Sequence, residues 1–192
     1  MSDQIIFIRH SQSRPIPGQP PSQWALTKTG RQRCAALAEH MRSYAPELIV
    51  CSTERKTIET GALVARHLSL PHCTAPDLHE HLREQVGWLS DAEFARSVAA
   101  LFAQPDELVF GEETANAACA RFTQSISAVL AAHPHQRLAI VTHGTVLALF
   151  LAQQNGFDPQ PFWRGLGMPA LVVTTLPNFQ IREVIAKIAS KD

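Results

Sequence analysis

Three short stretches of this 192-residue chain end an apolar run in groups able to grip or attack an anion. Gln4 to Ile8 runs into Arg9 and His10, with Ser11, Gln12 and Ser13 next. "ELIVCS" ends in Ser52 and Thr53, with Arg55 just beyond, and "RLAIVTHG" ends in His143 and Gly144. Arginine presents a rigid fork of donors that matches phosphate or carboxylate oxygens. A helix after each run would add its N-terminal N–H groups and positive dipole end. Two arginines and two histidines at such ends favour an anionic ligand, phosphate first. The chain has no Gly-x-x-x-x-Gly-Lys loop, so nucleotide hydrolysis of that kind is not indicated.

The elements that would position these groups follow from periodicity. The three runs are short, β-branched and nearly continuous in apolar character, as in parallel strands covered on both faces. Residues 14–23 hold four prolines and a glycine and read as a loop. A helix follows from about Thr29, with Cys34, Leu37, Ala38 and Met41 on one face. "TERKTIETGALVARHL" reads as a second helix with Thr53 as N-cap. Residues 71–90 read as irregular. Ser90 with Glu93 forms a capping box at the head of the next helix. Glu112 to Ala132 and "TVLALFLAQQN" read as helices, the latter closed by Gly156. A terminal pair of strands is joined through Pro177 and Asn178. Strands alternating with helices give a single α/β domain over 1–192, a three-layer sandwich. Its sheet is mostly parallel, with helices on both faces and a small cap insertion at 84–115. In such a sheet, ligands bind at the carboxyl ends of the strands.

Composition narrows the function classes. Lys and Arg total 17, as do Asp and Glu, so net charge is zero, which argues against nucleic-acid or membrane partners held by a basic field. No stretch nears the roughly 20 apolar residues of a membrane span, and the N-terminus lacks a signal-peptide pattern. Cys34, Cys51, Cys73 and Cys119 are scattered, without a Cys-x-x-Cys pair, which fits free thiols in the cytoplasm. His72, His79 and His81 have no Asp or Cys at metal-ligand spacing, so no metal is expected. Trp24, Trp88 and Trp163 read as core or rim residues, and Arg83 as a solvated surface charge.

The ordered set of motifs resembles the histidine phosphatase superfamily, its phosphoglycerate-mutase-like branch. "IRHSQS" resembles the R-H-G-[EQ]-[ST] signature, and "ALTKTGRQRCAALAEHM" the L-T-x-x-G-x-x-Q-A helix. "VCSTERKTIETG" is similar to S-S-x-x-x-R-x-x-x-T-A. "DLHEHLRE" resembles the segment carrying the family's acid, "FGEET" its G-E-S helix start, and "IVTHGTV" its second-histidine motif. The likeness spans roughly residues 4–176. It implies a metal-independent phosphatase that hydrolyses small phosphomonoesters through a phosphohistidine, without cofactor. His10 would be the nucleophile, its second ring nitrogen fixed by a backbone carbonyl. Arg9, Arg55 and a protonated His143 would clamp the phosphoryl oxygens, with Gln12, Ser13 and Gly144 also on the phosphate side. Glu80, preferred to Glu84 by its L-x-E context, would be general acid and then general base.

Ser11 departs from the family's glycine, which costs stability if the position needs a positive φ. Three alternatives are a phosphoglycerate-type mutase, a protein phosphohistidine phosphatase, and a catalytically weak phosphoanion-binding protein. The terminal strands leave an edge open to pairing into a homodimer.

Overall fold

The computed structural model describes residues 3–189, so the ends of the expected 1–192 domain lie outside the described residues. Six strands form one sheet in the order β3-β2-β4-β1-β5-β6: β1 (Gln4–Arg9), β2 (Leu48–Cys51), β3 (His72–Thr74), β4 (Leu138–Thr142), β5 (Ala170–Thr175) and β6 (Ile181–Ile185). The first four strands are parallel to one another. β5 runs antiparallel to β1, and β6 antiparallel to β5.

The strand residues alternate between two cores, which is why their apolar runs are unbroken. Ile6, Ile8, Ile49, Val141 and Leu171 pack on one face against α1 (Lys28–Met41) and α2 (Arg55–Leu68). Ile5, Phe7, Val50, Ile140 and Val172 pack on the other against α4 (Ala115–Ala132) and α5 (Gly144–Asn155). Every residue of α5 from Gly144 to Ala152 is buried. Each fully buried side chain such as Phe122 or Phe150 contributes about 1.5–3 kcal/mol.

Some local expectations are corrected. Glu54, not Thr53, is the N-cap of α2, and its side chain does not cap the helix. Its carboxylate is engaged elsewhere. α4 starts at Ala115 rather than Glu112, because the Thr114 hydroxyl accepts from the Ala117 N–H. The stretch 71–90 contains the short edge strand β3. A further helix, α6 (Pro159–Gly165), starts at Asp158 with proline in its first turn. The Ser90–Glu93 capping box is present at the head of α3 (Asp91–Ala103). α3 packs against α6 through Phe94 and Phe102 on Trp163.

Candidate active site

Parallel register sets the chemical groups side by side. Arg9 of β1 is level with Thr142 of β4, and Cys51 of β2 with Val141. The next N–H groups continue the ladder: His10 donates to Thr142 O (2.9 Å) and Ser52 to Val141 O (3.0 Å). His10, Ser52 and His143 therefore emerge together at the carboxyl edge. The His10 and His143 rings meet edge to face, 5.3 Å between centroids.

His10 Nδ1 lies 2.7 Å from Ser11 O. A carbonyl only accepts, so Nδ1 carries the proton and Nε2 keeps its lone pair. Ser11 is not in the left-handed backbone region, its N–H donates to Thr60 Oγ1, and its hydroxyl donates to Gly30 O (2.7 Å). A side chain at this position thus has both a permitted conformation and a partner.

Behind His10, the fully buried His143 shares a 2.8 Å hydrogen bond from Nε2 to Ser52 Oγ, with Glu54 Oε1 at 3.4 Å. Arg9 donates through Nη1 to Leu166 O. A Cβ on Gly144 would come within 2.9 Å of the Arg9 guanidinium, so a side chain at the head of α5 would force the guanidinium to shift. Arg9 Nε and His143 Nδ1 are buried with no hydrogen-bond partner among the described residues.

Glu80 caps α5. Its carboxylate accepts from the N–H groups of Thr145 (3.1 Å), Val146 (3.1 Å) and His81 (3.0 Å). Glu84 is tied to the Ser22 N–H and hydroxyl instead. The two carboxylates are thus separated in role by what each accepts.

The cation expected from α2 is corrected. Arg55 points away, its side chain 55% exposed and paired with Glu59 at 2.9 Å. Lys56, only 3% exposed, lines the cleft and donates to Pro21 O (2.8 Å) and to Glu54 Oε2. Glu54 in turn accepts the Glu80 N–H (2.8 Å), so one buried carboxylate joins the lysine, the second histidine and the acid-bearing loop. Counting back from Thr60 in S-S-x-x-x-R-x-x-x-T-A also lands on Lys56, a signal the sequence carried. Nothing in the sequence pattern marked Glu54.

The cleft encloses about 510 Å³. Arg9, His10, Ser13, Lys56 and Glu80 are among the residues that line it, whereas Gln12, His143 and Gly144 are not. The Gln12 side chain instead accepts from the Thr27 hydroxyl at the start of α1. The walls are the proline-rich loop, residues 83–89, Phe94 and all three tryptophans Trp24, Trp88 and Trp163. Arg83, expected in solvent, lies over the rings of Trp24 and Phe94. His79 and His81 donate to the carbonyls of Glu80 and Glu113.

Electrostatics set the resting charges. Burial first, with the positive charges of Lys56 and Arg9 adding to it, pushes His10 well below the usual histidine value, so it rests neutral. Burial and Lys56 do the same to His143, against the pull of Glu80. This differs from the expected imidazolium, because a dry site beside a lysine disfavours a second positive charge. Burial alone would raise Glu80, but the amides of Thr145 and His81 and the nearby charge of Arg83 outweigh it and hold the carboxyl below its usual range. The resting Glu80 is therefore an anion.

A neutral, oriented imidazole on His10, the half-buried cation Arg9 and the buried cation Lys56 thus stand together at the carboxyl edge of an α/β sheet. A family profile, histidine phosphatase superfamily (branch 1), matches residues 5–180. The chain belongs to this superfamily. It is 25% identical over 158 residues to the uncharacterized phosphatase PhoE of Bacillus subtilis (strain 168), across 82% of this chain and 76% of the relative. Its fold is similar to a mycobacterial glucosyl-3-phosphoglycerate phosphatase (TM-score 0.73, 19% identity, 100% of each chain covered). It is also similar to YhfR of Bacillus stearothermophilus (TM-score 0.76, 18% identity, 97% of this chain and 98% of that one).

Proposed function

We propose that the protein hydrolyses small phosphomonoesters through a phosphohistidine on His10, without metal. The observation that carries this is the Nδ1–Ser11 hydrogen bond, which leaves His10 Nε2 as the nucleophilic atom of a cleft lined by Arg9 and Lys56. Nε2 attacks phosphorus, the P–O ester bond breaks, and the leaving oxygen takes a proton. Water then attacks the phosphohistidine and frees inorganic phosphate. Arg9, Lys56 and His143 neutralise the charge that builds on the phosphoryl oxygens, a task of positioning and electrostatics.

Glu80 serves the two steps in opposite protonation states. The anion that rests in the empty site is ready to act as base on the water. For the first step it must be loaded with a proton, and a substrate phosphate raises the proton affinity of both Glu80 and His143. Residues 84–115 act as the cap, since 84–89, Asp91 and Phe94 stand over the phosphate-binding floor. Four unpaired cysteines suit a cytoplasmic protein.

The test is hydrolysis of an aryl phosphate in excess EDTA by wild type and His10→Ala. Turnover that survives chelation and falls by at least about 10³-fold in the variant is the expected result. Activity abolished by EDTA, or retained by His10→Ala, would sink the mechanism.

A further inference from the structure

Among the described residues, Arg83 is the one cleft-lining cation that the phosphatase mechanism leaves without a task. We infer that it is a specificity residue, binding a second anionic group, carboxylate or phosphate, on the leaving alcohol of the substrate. This rests on the phosphatase reading.

Three other arginines around the site, Arg9, Arg33 and Arg121, are committed to protein acceptors. Arg9 donates to Leu166 O and Arg33 to Met168 O. Arg121 donates to the carbonyls of Asp77, His79 and Glu80 and to both oxygens of Glu113. Arg83 differs. Its contacts among the described residues are two ring faces, Trp24 at 5.5 Å and Phe94 at 4.6 Å from the guanidinium carbon. Rings hold a guanidinium by its faces and leave the N–H edge free.

The carboxylates nearby are already taken. Glu80 accepts three backbone N–H groups, Glu54 holds Lys56 and the Glu80 N–H, and Glu84 accepts twice from Ser22. Burial lowers the Arg83 pKa from its ordinary value and these carboxylates pull the other way through space, while a guanidinium keeps its charge in a protein. Asp91 sits in the first turn of α3, where the helix dipole suits it. Arg83 thus offers a fixed, charged donor fork to the same cleft that His10, Arg9 and Lys56 line. A single ligand fills both ends when its phosphate meets His10 and a second anion meets Arg83.

Three aryl phosphates separate the possibilities: 4-carboxyphenyl phosphate, its uncharged isostere 4-carbamoylphenyl phosphate, and 1,4-phenylene bisphosphate. Wild type is expected to show kcat/KM about tenfold or more higher for a doubly anionic compound than for the carbamoyl one, mostly through KM. Whichever of carboxylate or bisphosphate is preferred names the second group. Arg83→Gln brings that ratio to about one. Arg83→Met, which keeps apolar length between the rings, does the same and decides the matter if the glutamine variant fails to fold. A wild-type ratio near one, or a ratio that a folded variant leaves unchanged, overturns the role of Arg83 alone. No turnover of any of the three by wild type overturns the phosphatase reading and this inference with it.

Discussion

Arg55 and Lys56 differ by one position, and on a helix one position is a turn of about 100°. Only one of the two can face the cleft. Arg55 lies along α2 beside Glu59, an i,i+4 pair exposed to solvent, while Lys56 is buried among Glu54 and Pro21. Lysine offers a point charge where arginine would offer a fork, so Glu54 and the Pro21 carbonyl must supply its aim. Lys56→Ala is expected to lower kcat/KM for an aryl phosphate by about 10²–10³-fold, the usual loss for one donor to a developing oxyanion. Arg55→Ala should change it by less than about fivefold, since an exposed ion pair contributes less than about 1 kcal/mol. Steady-state kinetics on both variants decide it, and the reverse ranking would return the clamp to Arg55.

At the scale of elements, Glu80 depends on a loop that has no regular structure of its own. Residues 75–83 run from β3 toward the cap, and Arg121 of α4 ties them down from behind. Its guanidinium binds the loop carbonyls of Asp77, His79 and Glu80 and forms a two-point ion pair with Glu113, whose Oε1 also accepts the Leu82 N–H. The loop also needs Asp77 in a left-handed conformation, φ 62°. Arg121→Ala leaves Glu113 largely buried and unpaired, so a loss of about 3 kcal/mol is expected in urea unfolding. It should also lower kcat more than it raises KM, because the carboxylate drifts while Arg9 and Lys56 still hold phosphate. A variant as stable as wild type, or one with a changed KM alone, would contradict this view of the loop.

For the whole molecule, the site makes folding sensitive to acid. His10 and His143 have native pKa values below the unfolded value of about 6.5. Below that pH the unfolded chain binds protons the native state refuses. Their contribution is whole above about pH 6.5 and drains away as pH falls toward the depressed native values. Glu54 and Glu80 are also depressed, so theirs is whole above about pH 4.5 and is lost as pH falls further. Denaturation midpoints from pH 8 to 4 should therefore decline in two stages, the first beginning near 6.5. Because His10 rests neutral, kcat/KM should hold its value to below pH 6.5. A midpoint that stays flat between pH 7.5 and 5.5 would mean that neither histidine is held neutral by the fold.

The sequence by itself determined the α/β alternation, the three strand ends bearing Arg9, His10, Ser52 and His143, the Ser90–Glu93 capping box and the close of α5 at Gly156. These are local: period, cap chemistry and β-branched runs act within a few residues and read directly. Only the tertiary structure decided which α2 cation faces the ligand, since that depends on how the helix is rotated against the sheet. It alone brought Glu54 to His143 across 89 residues of chain. It turned three tryptophans and Arg83 into the walls of one cleft, where side chains from the proline-rich loop, the cap and α6 meet. It also decided charge. His143 reads as a cation by motif and rests neutral by burial, because desolvation is a property of packing density and not of neighbours in sequence.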